Sequence, residues 1–132
     1  MRKFALIIAA ALCMALGLTL AAEDFGGRAR IDRTVHDFGN VSLKDGPLSA
    51  SFTVTNISNE PLTIYAVVSS CGCTNVEWTH ETIAPGASGV ISATYSNDEG
   101  PYPFDKVLTA YLSDIKKPIV LHLKGVVKKN KK

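Results

Sequence analysis

The chain has 132 residues, with 14 Lys or Arg against 12 Asp or Glu and a formal charge of +2. So small an imbalance, with no basic run interleaved with aromatics, excludes a nucleic-acid binder that works through a charged face. The length is that of one domain, long enough to bury a modest core without several disulfides.

The first residues read as an export signal. Arg2 and Lys3 form a basic start, and Phe4 to Leu20 is an almost unbroken, Ala-rich apolar run. Thr19-Leu20-Ala21 puts small residues at −3 and −1 of a cut before Ala22, and acidic Glu23 and Asp24 follow. A retained anchor helix is the competing reading, since seventeen apolar residues stand at the lower limit of a membrane span. A lipoprotein is disfavoured because bulky Leu12 precedes Cys13, which therefore leaves with the signal. Cleavage removes 21 of the 132 residues and leaves twelve basic and twelve acidic groups. The mature chain is then close to neutral, exported to the periplasm or secreted, with no membrane span.

The organisation expected is signal peptide 1–21, linker 22–30, one domain over 31–127 and a basic tail 128–132. Lys128, Lys129, Lys131 and Lys132 make that tail a solvated end, with anionic lipid or polyanion as the sharper alternative.

Beyond the linker the hydrophobic period is two. A first strand is expected around Ile31–Phe38. In Leu48–Asn56, Leu48, Ala50, Phe52 and Val54 share one face while Ser49, Ser51, Thr53 and Thr55 share the other. Leu62, Ile64, Ala66 and Val68 are expected to continue the pattern on the next strand, after Pro61, which has no N–H for a ladder. Gly89–Ser96, Lys106–Leu112 and Ile119–Val127 complete the strands, with Ile119, Leu121 and Leu123 facing inward. The breaks carry turn chemistry: Lys44-Asp-Gly-Pro47, Ala84-Pro-Gly86, Asn97-Asp-Glu-Gly-Pro101 and Lys116-Lys-Pro118. No stretch has an amphipathic helical period. Six or seven short strands predict an all-β, immunoglobulin-like two-sheet sandwich.

Several strings then stand in a familiar order: Val35-His-Asp-Phe-Gly-Asn-Val41, Phe52-Thr-Val-Thr-Asn56, Pro61-Leu-Thr-Ile64, Ser69-Ser-Cys-Gly-Cys-Thr74, Ile83-Ala-Pro-Gly-Ala-Ser-Gly89 and Leu121-His-Leu-Lys-Gly-Val126. Over about residues 31 to 127 this resembles the bacterial family called domain of unknown function 1573, and more distantly the Hydin-like and major-sperm-protein-like immunoglobulin folds. The resemblance implies a fold and an envelope or secreted setting, and no activity. Its eukaryotic side implies an interaction module, which is analogy from fold.

Cys71 and Cys73 are the cysteines that survive cleavage. Three states are open to them in an oxidising compartment: bonded to each other, to a partner, or to a metal. A bond between positions i and i+2 requires the segment to turn, which Gly72 allows. A structural clip is the favoured reading. Thiol–disulfide exchange is the sharper one, weakened because no helix follows Cys73 and the nearby charges in sequence are Glu77 and Glu81 rather than a Lys or Arg. A zinc or Cu(I) site from Cys71, Cys73 and His80, with His36 or His122 as a fourth ligand, is the remaining alternative. No cofactor is expected otherwise.

Trp78 is expected to pack as core, with an exposed contact as the other reading. His36-Asp37 is tempting as an acid–base pair, but no nucleophile motif accompanies it. His122 is expected to face outward. Without a phosphate loop or a strand–turn–helix around a serine, the chain is read as a non-enzyme. Its partner is expected to be another protein or an envelope polymer, held at a sheet edge or at the cysteine loop, with Trp78, Tyr65 and Tyr102 as candidate contacts.

Overall fold

In the computed structural model, residues 22–129 are described. The signal expected over 1–21, with Cys13, and the tail residues Lys131 and Lys132 lie outside them. Among the described residues nine strands form two sheets: β1 (Glu23–Phe25), β2 (Ala29–Ile31), β3 (Val35–Ser42), β4 (Leu48–Asn56), β5 (Ile64–Ser69), β6 (Thr74–Trp78), β7 (Ser88–Tyr95), β8 (Pro103–Leu112) and β9 (Ile119–Lys128). One sheet has the order β1-β2-β4-β7-β6 and the other β3-β9-β8-β5. The fold is an immunoglobulin-like β-sandwich. No helix among the described residues is long and apolar enough to cross a membrane.

Alternation in the sequence becomes alternation in burial. On β4, Ala50, Phe52 and Val54 are buried while Ser49, Ser51 and Thr53 are exposed. Their hydroxyls pair across the outer face, Ser49 with Thr94 at 2.8 Å and Ser51 with Ser92 at 3.1 Å. From the facing sheet Leu108, Leu121 and Leu123 close the core with no exposure at all. Each such side chain contributes about 1.5–3 kcal/mol of burial.

Residues 22–30 are not a linker. β1 pairs with β2, and β2 pairs with β4, Ala29 opposite Asn56 and Ile31 opposite Val54. Three-residue strands show too little period to be read, yet Ala29 and Ile31 are wholly buried. Arg28 anchors the same segment. Its guanidinium donates to the Pro61 carbonyl at 2.8 Å, to Ser58 Oγ at 3.0 Å and to Asp114 at 3.2 Å.

The strand expected over Ile31–Phe38 is two strands in different sheets. Asp32 ends the pairing with β4, where its carboxylate accepts the Thr53 N–H at 2.9 Å and the Arg33 N–H at 3.0 Å. The chain then crosses, and β3 runs parallel to β9. Lys128, expected in the tail, closes β9 opposite Ser42.

On β5 the expected inward set fails halfway. Leu62 and Ile64 are buried, but Val67 is buried and Val68 is 54 % exposed. An irregularity in the β5–β8 register between Ile64 and Ala66 inserts the extra residue that reverses the faces.

Candidate functional site

The cysteine segment is the crossing between β5, at the edge of one sheet, and β6, at the edge of the other. β6 itself went unread in the sequence because five residues, Thr74 to Trp78, follow the turn directly. Ser69 shapes the turn: its hydroxyl donates to the Cys71 carbonyl at 2.9 Å and accepts the Cys71 N–H at 3.2 Å. The Thr74 N–H closes the turn on the Cys71 carbonyl at 3.2 Å. Two further bonds tie the loop to both sheets, Ser70 N–H to the Val107 carbonyl and Ser96 N–H to the Cys73 carbonyl, each 2.9 Å.

Within this frame the Cys71 and Cys73 sulfurs lie at disulfide-bonding distance, with their Cα atoms 5.1 Å apart. Cys73 packs against the core. Its N–H points at Cys71 Sγ, 3.1 Å away. The carboxylate of Glu99, from the turn between β7 and β8, comes within 3.8 Å of the Cys71 sulfur through Oε2.

Glu99 Oε1 is already engaged. Lys106 Nζ lies 2.6 Å from it, and the Tyr95 hydroxyl donates to it at 3.1 Å. The Lys106 hydrogen bond, then that of Tyr95, holds the Glu99 carboxyl below its ordinary range. Burial, with the Glu99 bond adding to it, pushes the Tyr95 phenol up to about 12. Lys106 Nζ also stands 5.4 Å from the Tyr95 ring centre. An open groove of about 400 Å³ borders the cluster, lined in part by Gly72, Cys73, Asp98 and Glu99.

The charge beside the cysteines is thus neither Glu77 nor Glu81 but Glu99, with Lys106 paired to it. Glu99 and the Lys106 that pairs with it stand 28 and 35 positions beyond Cys71 in the chain. Nothing local in the sequence signals this, because the sandwich makes the contact.

Histidine is not part of the site. Among the described residues the group able to share one cation around the cysteines is Cys71, Cys73 and Glu99. His80 instead lies beside Trp78, ring centres 4.9 Å apart. His36 Nδ1 meets the Arg33 guanidinium at 2.8 Å, and burial followed by Arg33 lowers its pKa. Asp37 accepts the Gly39 N–H at 2.8 Å within β3, where its register with β9 shifts between Asp37 and Asn40. His122 is half-buried, with Nδ1 2.8 Å from Asp105.

The three aromatic candidates are not brought together. Trp78 packs against the core. Tyr65 and Tyr102 are 67 % and 60 % exposed, but they lie at opposite ends of β8, which runs from Pro103 beside Tyr102 to the neighbourhood of Tyr65. Tyr111 and Val120, at 44 % and 45 % exposed, were not singled out in the sequence.

A family described as "protein of unknown function (DUF1573)" matches residues 29–127. Among curated proteins none matches the sequence. Solved structures do. A protein of unknown function from Porphyromonas gingivalis W83 superposes with TM-score 0.65 at 18 % identity, over 76 % of this chain and 47 % of that one. The secreted serine protease VesC from Vibrio cholerae gives 0.60 at 17 %, over 77 % of this chain and 23 % of that one. The chain thus spans less than half the length of either. An ASH/PapD-like domain of human CEP192 gives 0.64 at 8 %, over 80 % of this chain and 88 % of that domain. At such identities the likeness is one of fold.

Proposed function

The chain belongs to the DUF1573 family, and from that premise we propose that it is an exported, non-catalytic immunoglobulin-like module that binds another envelope protein or an envelope polymer. The observation that carries this reading is the outer face of the sheet ending in β5. Tyr65, Val68, Tyr111 and Val120 are each more than two-fifths exposed. Register places them together, with Ala66 opposite Tyr111, Val68 opposite Thr109, and Thr109 opposite Val120. Exposed large apolar groups gathered on one face mark an interaction surface. β5 is also an edge strand, whose outer backbone groups can take a partner strand.

Export rests on the basic and apolar start of the sequence and the Thr19-Leu20-Ala21 cut. The cysteine pair acts as a clip that holds the crossing between the sheets. A catalytic role in thiol–disulfide exchange is disfavoured by Glu99, whose charge beside the Cys71 sulfur opposes a free, nucleophilic thiolate there.

Crosslinking in intact envelopes, followed by recovery of the protein, tests the reading. The unsubstituted chain should carry a partner that Tyr65→Asp combined with Val68→Asp loses while remaining folded. Repeated recovery of the protein alone, or a partner kept by the double variant, overturns it.

A further inference from the structure

Three groups that become anions converge at the β5–β6 crossing. The Cys71 and Cys73 sulfurs and a Glu99 carboxylate oxygen all lie within 4.8 Å of one another. The disulfide leaves only the carboxylate charged. Opened, the pair would place up to three negative charges in that space, and a cation is what resolves such a cluster. We propose that the dithiol form of Cys71 and Cys73, together with Glu99, binds one thiophilic divalent cation of the zinc type.

The geometry supports this in three ways. Two thiolates about 2.3 Å from zinc in a tetrahedron stand about 3.8 Å apart. Residues with Cα atoms 5.1 Å apart reach that separation by side-chain rotation. Glu99 is oriented for the task, since Lys106 and Tyr95 both hold Oε1 while Oε2 faces Cys71. Such outer partners fix a ligating carboxylate. Two thiolates, one carboxylate and a divalent cation sum to one negative charge, which the Lys106 ammonium offsets. The groove beside Gly72, Cys73 and Glu99 leaves room for water as the fourth ligand.

A dithiol reductant of the envelope gives two electrons and two protons to the Cys71–Cys73 bond and becomes a disulfide itself, leaving two thiols. The cation then displaces both thiol protons to solvent. The site therefore exists only in the reduced chain, and reoxidation releases the ion.

The test uses the purified protein carrying Cys13→Ser, so that Cys71 and Cys73 are its only thiols. A phosphine opens the disulfide, which oxidises it to the phosphine oxide with oxygen taken from water, and the excess is removed without air. Cadmium is titrated in while thiolate-to-metal absorption is followed, and zinc affinity is read by competition with a coloured chelator. Expected are one ion per chain in the reduced protein, none in the oxidised protein, and affinity at least about tenfold weaker in Glu99→Gln. X-ray absorption of the zinc form should show two sulfur and two oxygen neighbours, which decides the matter should Glu99→Gln fail to fold. No absorption band in folded reduced protein, unchanged affinity in Glu99→Gln, or a four-sulfur shell overturns the proposal.

Discussion

The Phe104 ring lies directly over the backbone of Gly125, its cross-strand partner on β9. A Cβ added to Gly125 would stand 2.9 Å from Phe104 Cζ and 3.2 Å from the Gly39 carbonyl oxygen. The glycine is required by space rather than by backbone angle, and Phe104 covers the gap that its missing side chain leaves. Gly125→Ala should cost about 1–3 kcal/mol through this overpacking. Urea unfolding measures it, and Phe104→Leu in the same chain should return part of the loss.

Asn56 is a second fixed point, without any exposure at the end of β4. Its Nδ2 donates to the Glu60 and Ile83 carbonyls at 2.6 and 2.9 Å. Its Oδ1 accepts from the Ser58 N–H and hydroxyl at 3.0 and 2.7 Å. Asn56→Ala strips partners from both carbonyls and leaves a hole, for a loss of about 2–4 kcal/mol. The denaturation midpoint should fall with little change in slope, and a loss under about 0.5 kcal/mol would contradict the role given to Asn56.

The Tyr95–Glu99–Lys106 group sets two limits in pH. Glu99 has a lowered folded pKa, so its contribution to stability is present above the unfolded carboxylate value. It is lost as pH falls through the folded one. Tyr95 is raised to about 12 and stays neutral when folded, so its contribution is lost as pH rises from about 10, where an unfolded tyrosine ionises, towards 12. Unfolding followed across pH should show both flanks. Glu99→Gln should flatten the acid one, and Tyr95→Phe should remove the phenolate absorbance step near 12.

The cysteine clip is short, and its effect on stability is correspondingly small. Closing a three-residue loop restricts the unfolded chain by only about 1–2 kcal/mol. Cys71→Ser with Cys73→Ser should lower stability by that amount and leave the partner of Tyr65 and Val68 bound. Alkylation without reductant, followed by intact mass, should show no adduct on Cys71 or Cys73 and a chain that begins at Ala22.

The sequence made some elements plain and hid others for identifiable reasons. β4 and β9 were legible because nine and ten residues keep one unbroken alternation. β1 and β2 were not, since three residues each show no period and the partner that ties β2 into the sheet, β4, lies beyond the crossing at Asp32. The phase of β5 was lost at the irregularity between Ile64 and Ala66, which no residue type announces. At the candidate site Cys71 and Cys73 were visible from spacing alone. Glu99 and Lys106 were not, because Glu99 reads locally as one more turn residue and Lys106 as one more polar strand position.

The parallel pairing of β3 with β9 bears on when the molecule can take shape. In its sheet β3 has β9 as its one neighbour, and β9 is the last strand described. Residues 35–42 therefore stay unpaired until residues 119–128 have been made. A nascent chain must release residues 119–128 before that sheet closes, so contacts between distant parts of the chain set the timing. Until then β3 has no partner strand, and β9 acts as the latch that joins it to the sheet.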